Sequence, residues 1–191
     1  MCCALCSTFV FSQVKKTDSL WLLLKHAKED TPKVNNLIAM SWQFRNSDID
    51  SSLFFAYDAL SLAIKLNYEM GIADSKRGLC ALHASMGKFD EGINYGNEAL
   101  LIYNKLFLTA NKPGKEKILA KIGSAYMVIG HNRISQGNYP EGLRISLLAL
   151  KIKEELGDIK GIGGMEYNIG NIYYNLQNYP EALKHHYVSL K

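Results

Sequence analysis

The chain has no apolar run long enough to cross a bilayer, no stretch of alternating polar and apolar residues, and no block of one charge. A membrane-spanning helix needs about 20 apolar residues, so this segment inserts none. Without period-two alternation there is no signal for a sheet. The 22 basic and 18 acidic residues leave a net charge of +4, and the positive residues are dispersed, which argues against nucleic acid as a partner. The densest basic stretch, Lys112–Lys117, reads as a solvated loop.

Constellations that carry chemistry are also missing. Three of the four cysteines fall within Met1–Ser12, leaving only Cys80 in the body of the chain. Cys3 and Cys6 have zinc-like spacing but no second ligand pair. Gly161–Gly164 lacks the Lys-Ser/Thr of a phosphate loop and the strand that would precede a dinucleotide site, so it reads as an inter-repeat turn. His185 and His186 are adjacent, and neighbours on a helix diverge. Asp90-Glu91 reads as a helix start and Glu154-Glu155 as a solvated face. No nucleophile is paired with a base. The expectation is a non-enzyme with no cofactor and no metal.

What the chain does have is an internal echo. Gly137–Leu143 reads G-N-Y-P-E-G-L, and forty residues later Gln177–Leu183 reads Q-N-Y-P-E-A-L. Gly87–Ile93 (G-K-F-D-E-G-I) is a third copy, and Asp50–Leu53 (D-S-S-L) carries the register into a fourth. Ala59-Leu60, Ala99-Leu100, Ala149-Leu150 and Ser189-Leu190 are spaced 40, 50 and 40 residues apart. A fixed period of this length marks stacked units, none of which can bury its apolar face alone. Four units follow, at about 32–69, 70–108, 115–158 and 160–191, with extra residues between the second and third.

Each unit contains two helical stripes around a turn. In the last, Met165, Ile169, Ile172, Tyr173 and Leu176 recur at helical spacing, Gln177-Asn178 breaks the run, and Pro180 opens the next helix. Ala182, Leu183, His186 and Leu190 make its second stripe. The third unit repeats the plan with Tyr126, Ile129 and Gly130, then Gly142, Leu143 and Leu147. Small residues recur where paired helices would cross. Gly130 and Gly170 align with Cys80, which predicts a buried structural thiol. Gly92, Gly142 and Ala182 align with Ser52. Such residues let helices approach closely, at the short end of the usual range of about 8–10 Å.

The grammar Ile169-Gly170, Tyr173, Ala182, with glycine at the inter-helix turn, resembles the tetratricopeptide repeat family in its forty-residue-period variant. HEAT and armadillo arrays share a similar period but lack this Gly…Tyr…Ala spacing. The resemblance covers about Pro32–Lys191 and is weakest in the first unit, where Met40 and Gln43 replace the glycine and tyrosine. It implies an all-α, right-handed superhelical stack of antiparallel helix pairs, nine helices counting a leading one, with the first helix of each pair lining a concave groove. Carried over by register, the groove residues are Ser41, Phe44 and Arg45; Arg77, Ala81 and Ser85; Met127, His131 and Ser135; and Tyr167, Asn171, Tyr174 and Asn175. Asparagine amides can pair with both polar groups of a peptide backbone, and tyrosines offer rigid contact area. Val128 and Gly78 stand where the polar residues of a two-carboxylate clamp would be, so that clamp is not expected.

The amino-terminal part differs in character. Met1–Ser12 is uncharged and reads as the remnant of an export leader, with an ordinary cytosolic start or a lipoprotein leader as alternatives. Residues 13–31 read as a capping helix, in which Leu20–Leu24 would cover the open edge of the first unit. Thr31 and Pro32 are then expected to cap and open the next helix. Ala27–Ala73 resembles the opening of repeat regions in bacterial envelope signalling proteins with histidine kinase or nucleotide cyclase outputs. That resemblance implies a sensory or scaffolding module, exported to the periplasm, which binds a protein or peptide segment. The alternative is a stand-alone cytosolic adaptor or co-chaperone-like regulator. The last unit reads as truncated, and self-association through its edge is a further expectation.

Overall fold

The computed structural model describes residue 24 and residues 27–190. The expectations for Met1–Ser12 and for residues 13–23 lie outside them. Among the described residues there are eight helices of eight residues or more and no strand. They are α1 Thr31–Phe44, α2 Ile49–Lys65, α3 Glu69–Ser85, α4 Phe89–Thr109, α5 Lys112–Ser135, α6 Tyr139–Glu155, α7 Ile159–Asn175 and α8 Tyr179–Ser189. Within each unit, short turns join paired helices into antiparallel hairpins. The chain divides into two compact units, one up to Gly71 and one from Ile72.

In the first unit Leu37 and Met40 of α1 pack with Phe55 and Ala59 of α2, and Leu24 joins the same core. Leu24 is therefore a core residue. The cap of α1 is Asp30 rather than Thr31: its carboxylate accepts from the Lys33 backbone N–H at 3.1 Å. Aspartate supplies the acceptor that anchors the first turn, and Thr31 becomes the first helical residue. The α1–α2 crossing is closed by two serines. Ser52 Oγ donates to the Ser41 carbonyl at 2.6 Å, and the two hydroxyls lie 3.3 Å apart.

In the second unit the crossings are built on missing side chains. A Cβ on Gly92 would lie 2.9 Å from the Cys80 carbonyl oxygen, and one on Gly170 2.7 Å from the His186 ring. The recurring small residues thus mark close helix approach, as their spacing predicts. His186 fills the volume that Gly170 leaves. The turns between paired helices use a left-handed residue, Gly87 (φ 73°) and Gly137 (φ 77°), and Gln177 (φ 59°) takes the same conformation at a steric cost glycine avoids. After Gly137, Asn138 N–H reaches back to the Arg133 carbonyl at 2.9 Å, which closes the helix end. The side chains of Asn138 and Asn178 then cap α6 and α8.

Two local expectations are corrected. Lys112–Lys117 is the first turn and a half of α5, not a loop, because Asn111 caps it by accepting from Gly114 N–H at 3.0 Å. The extra residues between units two and three lengthen helices: α4 has 21 residues and α5 has 24, against 17 in α3, α6 and α7. Gly161–Gly164 lies within α7, and the turn glycine is Gly157 (φ 65°). Asp158 caps that helix through Gly161 N–H at 2.9 Å and binds Lys153 at 2.7 Å. Lys153 and that amide together hold the Asp158 carboxyl below its usual range.

Candidate functional site

In the second unit the first helices of the pairs, α3, α5 and α7, are neighbours. Lys121 of α5 binds Asp74 of α3 at 2.7 and 2.8 Å, and Asn132 of α5 donates to the Cys80 carbonyl of α3 at 3.4 Å. Tyr126 of α5 packs into the core formed by Met165 and Ile169 of α7 with Ala149 and Leu150 of α6. The residues proposed from register for these helices lie mostly at the surface. Met127 and His131 are exposed on α5, and Ser85 is exposed at the end of α3. On α7, Tyr167 (54% exposed) and Tyr174 (62%) stand seven residues apart, hence on one face.

Not every groove candidate is available. Ala81 is buried. Arg77 is half-buried, and its charge acts on both Tyr103 and Cys80. Asn175 Nδ2 donates to its own helix, at the Asn171 carbonyl (2.8 Å), so this amide is committed unless a ligand displaces it. Tyr174 meets Tyr179 edge-on at 5.6 Å and Tyr167 lies 5.5 Å from the His186 ring, which leaves each tyrosine braced but open on its outer side. In the first unit Phe44 packs against the core and stacks on Phe55 at 5.6 Å, Ser41 is buried in its bond to Ser52, and Arg45 lies 4.9 Å over the Trp42 ring.

Below that face lies a polar centre that no periodicity announces. Tyr103 of α4, fully buried, donates its hydroxyl to Asp74 Oδ1 at 2.6 Å, and Lys121 clasps both oxygens of the same carboxylate. Burial and the adjoining Asp74 charge raise the Tyr103 hydroxyl, so it stays a donor. Three helices are thereby joined through one carboxylate. Residues 29 and 47 positions from Asp74 in the chain carry no local signal of this. Asn132 is likewise buried; it donates to the Val128 carbonyl at 2.9 Å, and register places Leu82 and Ile172 at its equivalents.

Cys80 is sealed at 0% exposure, and burial pushes its thiol up to about 12. It is a small apolar filler, not a nucleophile. His185 and His186 diverge, as helix geometry requires: His185 Nδ1 meets the buried carboxylate of Glu166 at 2.5 Å and stacks on Tyr173, while His186 covers Gly170. Among the described residues no group of three or more His, Cys, Asp or Glu side chains could hold a metal ion, and no helix is long and apolar enough to cross a membrane.

This arrangement of paired helices, with small residues at each crossing, defines a tetratricopeptide-like helical repeat fold. Solved structures have the same fold. BtubC (BKLC) from P. vanneervenii superposes with a TM-score of 0.75 at 17% identity, covering 93% of this chain and 72% of its own. The apo form of RapI gives 0.65 at 21% identity over 82% of this chain, which spans only 42% of RapI. A putative kinesin light chain from Podosopora anserina with nearly identical TPR-like repeats gives 0.57 at 11% identity, covering 91% of this chain and 81% of its own. No protein-family profile matches the chain. No curated protein matches it either.

Proposed function

We propose that this chain is a non-catalytic protein-interaction module, which holds an extended or helical protein segment against the exposed face of α5 and α7. The supporting observation is the contrast within α7: Met165, Ile169 and Ile172 are buried, while Tyr167 and Tyr174 on the opposite stripe stand open and are braced by neighbouring rings. Two tyrosines a helical repeat apart offer amphipathic contact area at small entropic cost. Met127 and His131 extend the face onto α5, and Asn171 lies between the tyrosines. Recognition suits this surface better than chemistry, since the thiol of Cys80 is buried and protonated. The resemblance of Ala27–Ala73 to envelope signalling proteins supports a sensory or scaffolding role in such a protein, and the uncharged Met1–Ser12 supports export. Nucleic acid is not the proposed partner.

A displayed random-peptide library selected against the chain tests the reading. Selected peptides should lose at least about tenfold in affinity on the variant Tyr167→Ala/Tyr174→Ala, the scale expected for removing two aromatic anchors. Helicity should be unchanged. Peptides that bind the variant as tightly as the parent would place the interface elsewhere.

A further inference from the structure

We propose, resting on the groove reading above, that the extended ends of α4 and α5 form a basic lip, and that the segment held in the groove carries acidic residues against it. Aligning Gly130 with Gly170 sets Leu119 opposite Ile159, the first residue of α7, so Lys112–Ile118 is additional helix. It lengthens α5 by roughly 10 Å. α4 likewise runs past Lys105, the equivalent of Glu155 at the end of α6, to Thr109. The Lys115 ammonium lies 5.4 Å over the Phe107 ring, so the two extensions stand side by side. They lie between the second and third repeats, with helices before and after them, and their exposure is not that of a chain end.

The charge of this lip is unbalanced. Leu106–Ile118 carries Lys112, Lys115 and Lys117 against a single acid, Glu116. Elsewhere in the second unit lysines hold carboxylates: Lys121 with Asp74 and Lys153 with Asp158, each at 2.7 Å, and Lys184 with Glu181 at 3.1 Å. Lys112 and Lys117 are exposed and make no ion pair among the described residues. Their placement also works against the helix. The first turns of an α-helix carry the positive end of its dipole, where cations are unfavourable. α4, α6 and α8 open with acids in the first turn, and α5 does not. A local rule broken at solvent-facing positions points to a function for the charge.

Lys117 continues the groove face. Lys117, Ser124 and His131 follow at steps of seven, two helical turns each, so they share one stripe of α5, with Met127 beside it. Met127 and His131 are exposed. Lys117 and Met127 are separated by about 15 Å of helix. An extended segment covers that length in about four or five residues. Its acidic side chains should therefore lie about that far to one side of the residue held at Met127 and Tyr167. A bilayer fits the lip less well. Leu108 is 79% exposed, but Phe107 is half-buried under Lys115, which leaves too little apolar area to insert.

A displayed random-peptide library selected on the full chain is the probe. Selected peptides should be enriched in Asp or Glu to one side of their consensus. Their association, followed by stopped-flow fluorescence at low ionic strength, should slow at least about tenfold in Lys112→Glu/Lys117→Glu, and the difference should shrink as salt is raised. Lys88→Glu/Lys151→Glu, an equal charge change at exposed positions, should stay close to the parent. Glutamate suits a first turn, so the lip variant should melt no lower than the parent. Peptides that need Tyr167 and Tyr174 but carry no excess of acid and ignore the lip variant overturn the proposal and leave the groove reading standing. Acidic peptides that ignore Tyr167→Ala/Tyr174→Ala overturn the groove reading and, with it, the continuity of lip and groove. Equal slowing by both charge variants, or a selection that yields no binder, also overturns the proposal. So does flotation of the parent with phosphatidylglycerol–phosphatidylcholine vesicles that the lip variant loses.

Discussion

Adding one methyl group at two glycines of the second unit should change stability in opposite directions. Gly92 and Gly164 both lie inside helices with ordinary negative φ, so alanine at either gains about 1 kcal/mol of helix propensity. At Gly164 nothing lies within 4 Å of the new Cβ, and the gain should appear in full. At Gly92 the Cβ would meet Asn132 Oδ1 at 2.7 Å, the Cys80 carbonyl oxygen at 2.9 Å and His83 Cβ at 3.3 Å. The carbonyl belongs to the facing helix and cannot swing aside. Asn132 is held too, because its amide donates to the Val128 carbonyl at 2.9 Å. The helices must part, at an overpacking cost of about 1–3 kcal/mol that outweighs the propensity gain. We expect Gly92→Ala to destabilise by about 1 kcal/mol net, and Gly164→Ala to stabilise by a similar amount. For a chain of this size each kcal/mol moves Tm by about 2–4 °C, so the two melting curves should separate clearly on either side of the parent. A Gly92→Ala protein as stable as the parent or more so would mean that α3 and α4 do not cross closely at that residue.

Other substitutions address single features. Tyr103→Phe should cost about 1.5–3 kcal/mol in urea unfolding, the range for a hydrogen bond to a charged group, because Asp74 loses its buried donor; an unchanged midpoint would remove the polar centre from the account. Ala182→Leu should overpack the α7–α8 crossing by about 1–3 kcal/mol, since Ala182 is buried there; thermal melting checks it. In a variant with Cys2, Cys3 and Cys6 replaced by serine, Cys80 should resist thiol reagents at pH 8 until urea unfolds the chain, and rapid labelling of the native protein would contradict its burial. Asp158 has a lowered folded pKa, so its contribution to stability is present above its ordinary value of 3.8 and is lost as pH falls through the folded value. Asp158→Asn should therefore flatten the acid limb of an unfolding profile and do little to its shape at neutral pH.

The parts legible in the sequence are those written by local chemistry or by period. N-Y-P-E names a cap, a first-turn proline and a helix start, and Asn138 and Asn178 do cap α6 and α8. The small residues at Cys80, Gly92, Gly142, Gly170 and Ala182 recur in register because each crossing needs the same close approach. Punctuation misled where one residue reversed it: Lys112–Lys117 looks like a loop, yet Asn111 ahead of it supplies a cap and starts a helix. The Asp74–Tyr103–Lys121 centre was not legible, since three residues from three helices share no spacing rule. Phe44 and Ser41 followed the groove register but turn inward, because their unit closes its crossing with serines and its core with stacked phenylalanines.

The central claim is that the first-helix face of α5 and α7 receives a protein segment. Amide hydrogen exchange with and without a library-selected peptide tests it most directly. Protection should appear in α5 and α7 around Met127, His131, Tyr167 and Tyr174, with α4 and α6 unaffected. Protection confined to α4, α6 or α8 would contradict the account.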